Sequence, residues 1–558
     1  MLSEKVIRDP VHGYIHLNNL EANIINTKIF LRLQHIKQSP TAYLTYPSHY
    51  VNRFVHSLGV MELSGKIAFY VLDNSPTTVV NKFLNKCKND FAIDRENIKE
   101  VFIQTAKLAG LLHDLGHPPF SHQGESALSK DDILKLYNDD SDFPSFVTAK
   151  GGKLPKFHEF STHCLIRDNE ELHQLLTTGF NYKSLLLKIF GPCPEGAFST
   201  IHKIISSDMD ADRADFLLRD GMTSGIGFGQ YDIMRLIESM VLYEDKNEHF
   251  HIVPTTSALS TIESFLVERY KMYKWLYYHP HVVLTDTALS YLLRKVLEWS
   301  KTAGHPLENV LKLEDFHYKN YIYNELPFDD TVIIQKLKQA FGACKELYGQ
   351  DNEWQDDIDL TYILLRIVLF REKFAKAVFK NISEYRSFDL DLKQEMISSS
   401  VPYSELFPDE PLLNNYAKRT AGTVPLPEDC RFDKILTNEN QFVLETERSS
   451  FEPFSFERYE RRMPISREEA VTKKEYRSKF FLVDKKSGKQ LFISELSQTV
   501  KQLLEAWHND MQLFLYIVRL KKPKSEEWSN IIEENRNKMK EHINSLWSKD
   551  LLRYKPES

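Results

Sequence analysis

An apolar helical run that leads into a cluster of ionisable side chains constrains this fold more than any other feature. The run, VFIQTAKLAGLL at residues 101–112, has apolar residues at three- and four-residue steps, and His113 and Asp114 follow it directly. Adjacent helical residues point about 100° apart, so this pair can contact one ion only from one side. If the pair binds a metal ion, two more ligands must come from elsewhere in the chain.

Two other helical segments offer such ligands. His56 lies in NRFVHSLGV (52–60) and Asp212 in SSDMDADRADFLLRD (206–220), and each interrupts an apolar pattern. Taken singly, His56 fits a hydrogen-bonded core histidine and Asp212 a surface carboxylate, but the order His, His-Asp, Asp is specific. Two imidazoles and two carboxylates suit Mg, Mn, Fe, Ni or Zn, and the spacing does not choose among them. We therefore expect a divalent metal ion as cofactor.

Composition narrows the classes of function. With 558 residues the chain exceeds the size of one hydrophobic core, and its net charge of −7 gives no global basic field for nucleic acid or anionic membrane. The five cysteines form no CxxC pair, which argues against a disulfide scaffold and a thiolate zinc site. No apolar run approaches the roughly 20 residues of a membrane span. The N-terminus lacks a signal pattern, so we expect a cytoplasmic protein without a membrane partner.

Helical periodicity dominates residues 20–300 and resumes at 332–348 and 358–382. The stretch 131–157 is polar and contains prolines and glycines, so it predicts a loop or insertion. Five prolines within 401–430 indicate a boundary or a long ordered crossing.

Strand patterns enter only near the C-terminus. RSKFFLVDKKSGKQLFI (477–493) predicts two strands around a turn, 494–507 a helix, 512–520 a strand and 526–547 an amphipathic helix. The fold class is therefore mainly α with a smaller α+β C-terminal lobe. We predict a catalytic core at 1–320, a helical extension at 321–400, and the C-terminal lobe with its helical tail at 401–558.

Seven segments of the chain form a recognisable set. They are VIRDPVHGYIHL (6–17), FLRLQHIKQ (30–38), NRFVHSLGV (52–60), HDLGHPPFSH (113–122), FHE (157–159), DADRADFLLRD (210–220) and RYKMYKWLYYHP (269–280). Together they resemble HD-domain deoxynucleoside triphosphate triphosphohydrolases, most closely the vertebrate enzymes with a SAM domain and their prokaryotic relatives. The resemblance covers residues 4–300, and 479–520 is similar to that family's C-terminal lobe. No SAM region is expected before the core, since residue 6 already lies inside the resemblance.

The resemblance implies an HD-domain helical core in which the metal is held by His56, His113, Asp114 and Asp212. It also implies cleavage between the 5′ oxygen and the α-phosphorus, which releases nucleoside and intact triphosphate.

The resemblance further assigns the catalytic histidines. His122 is the candidate proton donor to the leaving oxygen, and Glu125, three residues on, would orient it where the family usually has Asp. His117 and His158 would line the phosphates, although a core role is the alternative for both.

The same resemblance assigns phosphate contacts to Arg53, Arg213 and Arg269. Three cations are more than one phosphate requires, which favours a triphosphate over a monophosphate. Phe216 stands where the family has a tyrosine that contacts phosphate, so one donor is missing. The sequence has no GxxxxGK[ST] motif for a phosphate-binding loop.

The resemblance assigns sugar recognition to three positions. Gln38 and Asp220 match residues that bond the 3′-hydroxyl, and Tyr277 matches the aromatic residue beneath the deoxyribose. Ser39 replaces the family's leucine, and this smaller polar residue weakens the expected discrimination against a 2′-hydroxyl. Asn26 and Gln34 replace an Asp and an Arg that read guanine in the vertebrate enzymes, so we expect activation by guanine nucleotides to be weakened, altered or absent.

Two alternatives stay open. One is another HD-type phosphohydrolase that acts on a monophosphate, a ribonucleotide or a signalling nucleotide. The other is a nucleotide- or nucleic-acid-binding assembly protein. Basic residues of the tail leave room for single-stranded nucleic acid, although the charge-rich stretch 457–479 fits a solvated face better. By analogy with HD enzymes we expect a homo-oligomer, either a dimer or a tetramer.

Overall fold

The chain forms two compact units, each assembled from three stretches of sequence. The first comprises Met1–Leu276, Asn309–Lys336 and Pro453–Lys501. The second comprises Tyr277–Glu308, Leu337–Glu452 and Gln502–Ser558. The computed structural model describes residues 5–93, 97–323, 325–398, 401, 411–421, 426–438, 440–447, 456–464, 470–478, 481–484, 487–508, 510–549 and 551–552.

Helices make up most of the first unit. They are α1 (Asn19–Ile24), α2 (Lys28–Leu31), α3 (Arg53–Asn74), α4 (Thr77–Phe91), α5 (Ile98–Leu112), α6 (Ser121–Ala127), α7 (Lys130–Tyr137), α8 (Phe143–Ala149), α9 (Phe157–Asp168), α10 (Glu170–Thr177), α11 (Tyr182–Ile189), α12 (Gly196–Ile205), α13 (Ala211–Ser224), α14 (Ile233–Glu238) and α15 (Leu259–Met272). A π-helical turn at Tyr273–Tyr277 continues α15, and its last residue belongs to the second unit.

The strands of the first unit form antiparallel two-stranded sheets. The pairs are β1 (Lys5–Asp9) with β2 (Gly13–Leu17), β3 (Met240–Glu244) with β4 (Phe250–Pro254), β5 (Ile322–Tyr323) with β6 (Leu326–Pro327), β9 (Phe456–Pro464) with β10 (Ala470–Ser478), and β11 (Phe481–Val483) with β12 (Gln490–Phe492).

The centre of the first unit is α3, which packs against α5 and α13. Apolar residues such as Leu58, Phe102 and Leu217 are fully or almost fully buried on these helices. Both α3 and α13 begin at a side-chain cap, because Asn52 accepts from the Val55 amide and Asp210 from the Arg213 amide. The beginnings of α3 and α13 and the end of α5 are the segments that carry the predicted metal ligands.

A three-stranded antiparallel sheet, in the order β7–β13–β8, organises the second unit. Its central strand β13 is buried along nearly its whole length, as expected for a strand paired on both sides. Residues of α19, α20 and α24 pack in one apolar core with this sheet. The elements are α16 (Pro280–Trp299), α17 (Asp330–Leu347), α18 (Gln355–Phe370), β7 (Ala375–Ala377), α19 (Ile382–Ser398), α20 (Leu412–Ala421), α21 (Phe432–Ile435), β8 (Gln441–Glu447), β13 (Leu513–Arg519) and α24 (Glu527–Ser548). Helix α22 (Ile493–Leu496) lies in the first unit, whereas α17 and α23 (Gln498–His508) each contribute residues to both units.

The mainly helical fold class is confirmed, and so is the C-terminal succession of a hairpin, a helix, a strand and a long helix. Two local predictions are wrong. The stretch 131–157 contains α7 and α8, because Phe143 and Phe146 pack against Phe160 of α9 and Ser129 caps α7. The helix predicted over 358–382 ends at Phe370, where Arg371 takes a left-handed φ of 55°, and a strand follows.

The three-part division at residues 320 and 400 stays a prediction about domain organisation. The compact units do not follow the order of the sequence, since β9 to β12 belong to the first unit. Strands β9 and β10 span most of the charge-rich stretch 457–479, with backbone pairing such as Lys473 to Arg461. Their side chains lie outside the described residues, as does the whole of Arg467. Among the residues that the structure describes, no helix is long and apolar enough to cross a membrane.

Gly116 shows how closely the loop after α5 approaches α9. A Cβ at this position would lie 2.3 Å from both the His158 carbonyl oxygen and the Thr162 amide nitrogen. We predict that Gly116→Ala lowers the free energy of unfolding by about 1–3 kcal/mol, because backbone atoms must move apart. Calorimetry would show this as a lower Tm.

Gly342→Ala is the matched control, because an added Cβ there meets nothing within 4 Å inside α17. This variant should be neutral or gain up to ~1 kcal/mol from helix propensity. Equal Tm values for wild type and Gly116→Ala would contradict the prediction.

Candidate metal centre and surrounding site

Three of the four predicted ligands converge where α3, α5 and α13 meet. The ligand atoms of His56, His113 and Asp212 lie within 4.8 Å of one another. His56 Nε2 is 3.0 Å from Asp212 Oδ1, and His113 Nε2 is 4.0 Å from the same oxygen. The three side chains thus form a compact mixed nitrogen and oxygen set.

Hydrogen bonds on the far side of both rings fix the histidine orientations. His56 Nδ1 lies 2.7 Å from Asp215 Oδ2, and His113 Nδ1 lies 2.8 Å from the Gly110 carbonyl oxygen. A carbonyl oxygen only accepts, so His113 Nδ1 donates and the lone pair of a neutral ring falls on Nε2. That Nε2 is buried and makes no well-aligned hydrogen bond within the described part of the chain. These residues therefore fit a divalent cation. Each ring is oriented by a hydrogen bond at its other nitrogen, as metal-binding histidines usually are.

Asp114 lies beside this group and also pairs with Arg53. Its Oδ2 accepts from Arg53 Nη1, and its Oδ1 is 3.3 Å from both His113 Nε2 and His117 Nε2. Burial raises the pKa of Asp114, but the neighbouring Arg53 and histidines hold it well below its ordinary value. The carboxylate is therefore ionised and adjacent to the other three predicted ligands, as a fourth ligand requires.

A second cluster joins His117, His122, Glu125 and His158, whose ligand atoms also lie within 4.8 Å of one another. Glu125 accepts at 3.0 Å from His122 Nδ1 and at 2.6 Å from His158 Nδ1. The His117 and His158 rings stack with centroids 4.0 Å apart. Burial raises the pKa of Glu125, but His158 and His122 hold it well below its ordinary value. An ionised carboxylate thus orients both rings.

The residues of this cluster differ in their exposure. The side chain of His122 is 61% exposed and Glu125 lies beneath it, whereas His117 is buried. Burial and the nearby Arg53 hold the pKa of His117 well below its ordinary value, so this ring is neutral. In the cluster, His122 is the ring with most access to a substrate and to solvent protons.

The predicted phosphate-binding arginines all make contacts within the protein. Arg53 also donates from Nε to Ser121 Oγ at 2.8 Å. Arg213 donates to Asp210 and to the Ser207 carbonyl group. Arg269 is buried beside Tyr273, and burial lowers its pKa to about 10, which leaves it charged at neutral pH. Phe216 lies half-buried on α13, with no polar atom on its side chain.

One predicted sugar contact, Asp220, lies near a histidine that sequence reasoning missed. His49 is buried, with Nδ1 2.9 Å from Thr223 Oγ1 and Nε2 3.9 Å from Asp220 Oδ1. Gln38 Oε1 is buried without a hydrogen-bond partner among the described residues. Tyr277 belongs to the second compact unit, so its sugar contact stays a prediction.

Comparison with known proteins identifies the helical region that carries His56, His113 and Asp114. Residues 53–150 match the family model described as HD domain. The chain contains an HD domain. HD domains bind divalent metal ions and indicate a metal-dependent phosphohydrolase. His56, His113 and Asp114 lie inside the matched HD domain, whereas Asp212 follows it in the sequence.

Relatives of the HD-domain chain come from archaea, bacteria and animals. An uncharacterized protein of Methanocaldococcus jannaschii is 28% identical over 69% of this chain, which spans 65% of that relative's length. An uncharacterized protein of Bacillus subtilis, YwfO, is 27% identical over 73% of this chain and 82% of its own length. The human deoxynucleoside triphosphate triphosphohydrolase SAMHD1 is 26% identical over 62% of this chain and 53% of its own length.

Solved structures share the fold. A phosphohydrolase from Bacteroides thetaiotaomicron superposes with a TM-score of 0.54 at 19% identity, over 92% of this chain and 99% of that one. A hypothetical protein from Aquifex aeolicus gives 0.51 at 21% identity, over 96% of this chain and 99% of that one. At these identities the likeness shows the fold alone.

Asp215 lies at the centre of a hydrogen-bond network beside the candidate metal centre, which we call the HD-domain site. Sequence reasoning missed this role. It accepts from His12 Nε2 at 2.6 Å, from Arg219 Nη2 at 2.8 Å and from His56. Burial raises the pKa of Asp215, but Arg219, His12 and His56 hold it well below its ordinary value. Its position three residues after Asp212, on one face of α13, is the signal that could have revealed it.

We predict that Asp215→Asn weakens Mn²⁺ binding by about 10- to 100-fold, because His56 loses the carboxylate that orients it. Isothermal titration of the full chain with Mn²⁺ measures the affinity, and calorimetry of the metal-free protein measures its folding.

Asp245→Asn provides the control, since Asp245 also bonds a histidine, His251, at 2.9 Å, but away from the HD-domain site. Unchanged Mn²⁺ affinity in a folded Asp215→Asn variant would contradict the prediction.

Proposed function

We propose that this chain hydrolyses nucleoside or deoxynucleoside triphosphates to nucleoside and inorganic triphosphate in a metal-dependent reaction. The observation that carries the proposal is the close approach of the His56, His113 and Asp212 group to arginines. Arg53 is bonded to Asp114, and Arg213 directly follows Asp212. A metal site beside several cations suits a polyphosphate better than a monophosphate. The similarity to the human triphosphohydrolase supports the same substrate class.

A divalent ion held by His56, His113, Asp114 and Asp212 would supply a Lewis acid for the α-phosphate and lower the pKa of a water molecule. The side chains of the protein supply the remaining functions. Water adds to the α-phosphorus and gives up a proton to solvent, the bond to the 5′ oxygen breaks, and Arg53, Arg213 and Arg269 balance the negative charge of the triphosphate product.

The leaving 5′ oxygen takes a proton and becomes the nucleoside hydroxyl. His122 is the proposed donor, because it is exposed to substrate and held by the ionised Glu125 at 3.0 Å. Glutamate in place of the family's aspartate still reaches the ring. His117 and His158, stacked on each other, would face the phosphates, and a neutral His117 fits the role of a hydrogen-bond partner.

Sugar recognition is proposed for Gln38, Asp220 and Tyr277, with Ser39 leaving space near the 2′ position. Buried acceptors such as Gln38 Oε1 suit a hydroxyl donor. Both ribose and deoxyribose carry the 3′-hydroxyl, so this contact admits both sugars. We also propose a cytoplasmic homo-oligomer, a dimer or a tetramer, with altered control by guanine nucleotides through Asn26 and Gln34.

We predict that Asp114→Ala lowers turnover of every accepted triphosphate by more than about 100-fold, the scale expected when a charge-stabilising group is lost. The assay supplies each dNTP and NTP with Mn²⁺ or Mg²⁺ and separates the products by ion-exchange chromatography. The wild type should release nucleoside and triphosphate in equal amounts.

Asp139→Ala, which removes an exposed carboxylate in the same HD domain, is the control and should keep full turnover. Release of monophosphate or inorganic phosphate by the wild type would favour another HD-type phosphohydrolase. Full activity of Asp114→Ala would refute the metal assignment.

We predict that Asp220→Ala lowers kcat/KM for a substrate with a 3′-hydroxyl by about 10- to 100-fold, since a hydrogen bond to a buried carboxylate is lost. A dideoxynucleoside triphosphate lacks that hydroxyl, so its kcat/KM should change little between wild type and variant. The two substrates and two proteins form a cycle that isolates the contact. Equal losses for both substrates would place Asp220 elsewhere than at the sugar.

A further inference from the structure

The loop that carries the predicted ligands is held by its backbone. Three consecutive carbonyl oxygens, at Leu115, Gly116 and His117, accept hydrogen bonds from side chains distant in sequence. Arg32 Nη2 donates to Leu115 O at 3.0 Å and to His117 O at 2.7 Å. Tyr321 Oη donates to Gly116 O at 3.0 Å. We call Arg32 and Tyr321 the carbonyl clamp.

The two residues of the carbonyl clamp also support each other. The Arg32 guanidinium lies 3.9 Å from the centroid of the Tyr321 ring, and its Nη1 donates to Phe328 O at 3.1 Å. Both side chains are fully or almost fully buried. Burial lowers the pKa of Arg32 to about 10, so the group stays charged at neutral pH. A buried cation requires acceptors, and the loop carbonyls provide two of them.

Asp330 anchors the far end of the same loop. Its Oδ1 accepts from the Phe120 amide at 2.6 Å, and its Oδ2 accepts from the Lys37 amide at 3.1 Å. Phe120 and Ser121 both take left-handed φ values, of 60° and 50°, which non-glycine residues rarely adopt. Such a backbone persists only where surrounding contacts hold it. The Asp330 carboxylate provides one of these contacts.

We infer that Arg32, Tyr321 and Asp330 are positioning residues that hold loop 113–122 in the geometry required for metal binding. None of them lies within residues 53–150 that match the HD domain. They act through the backbone, because the fixed carbonyls at 115, 116 and 117 set where the side chains of Asp114 and His117 point. The inference rests on the proposed metal site but not on the identity of the nucleotide.

Tyr321→Phe separates positioning from packing. The variant keeps the ring beneath the Arg32 guanidinium and removes only the hydroxyl that donates to Gly116. Tyr516→Phe is the matched control, since Tyr516 is also buried and its hydroxyl donates to the Pro280 carbonyl oxygen at 2.7 Å in the second unit. Both variants lose one buried hydrogen bond to a backbone carbonyl group, so their metal-free Tm values should fall by similar amounts.

The experiment titrates the full metal-free chain with Mn²⁺ by isothermal calorimetry and records the visible spectrum of the Co²⁺-loaded protein. We expect Tyr321→Phe to raise the Mn²⁺ Kd about 10-fold, the lower end of the range for outer partners of metal ligands. It should also shift the Co²⁺ absorption bands, which report ligand geometry. Tyr516→Phe should leave both unchanged. Equal Kd values and equal spectra for the two variants would overturn the inference.

Arg32→Lys tests the other half of the carbonyl clamp. Lysine keeps the charge, but a single ammonium cannot reproduce the planar fork that reaches Leu115, His117 and Phe328 together. Its Mn²⁺ Kd should rise at least as much as that of Tyr321→Phe, and if Arg32→Lys fails to fold, Tyr321→Phe still decides the matter. A wild type that binds no Mn²⁺ would overturn the proposed metal site itself. Normal wild-type binding with unchanged Tyr321→Phe would overturn the clamp alone.

Discussion

The pair of hydrogen bonds from His56 to Asp212 and Asp215 is the interaction on which the rest of the first unit depends. It joins α3 to α13 through one fully buried ring. Burial by itself lowers the pKa of His56, but the two carboxylates raise it to about 10, so without a metal both ring nitrogens carry protons. Buried charges of this kind are tolerated only in a complete network. Arg219 and His12 complete it, and they connect the N-terminal segment to the site.

Local pattern was sufficient to predict the ligand-bearing helices and the C-terminal hairpin. His113 and Asp114 end a strongly periodic run, and a turn separates β11 from β12. The local pattern failed for α7 and α8, because the polar composition of 131–157 hid Phe143 and Phe146, which are buried and pack against Phe160 of α9. Helix formation there depends on tertiary packing more than on local propensity.

The contacts that hold the site together were harder to predict than its ligands. Asp215 could be found from its spacing to Asp212, but Arg32 and Tyr321 are 289 residues apart and carry no shared pattern. The predicted core boundary at residue 320 separates Tyr321 and Asp330 from the loop that they contact. Hydrogen bonds to backbone carbonyls leave no signature in the accepting residues, so Leu115 and Gly116 gave no sign of these partners.

Charge balance links the metal to the substrate in the proposed reaction. Arg53 and Arg213 are already neutralised, by Asp114 and Asp210, before any triphosphate is present. A carboxylate that binds a divalent cation becomes a weaker partner for an arginine, since its charge is shared. The Arg53 guanidinium then favours a phosphate oxygen, with which it can form bidentate bonds. A site arranged in this way keeps Arg53 paired with Asp114 when no metal is bound and would make it available when a metal ion and a polyphosphate bind together.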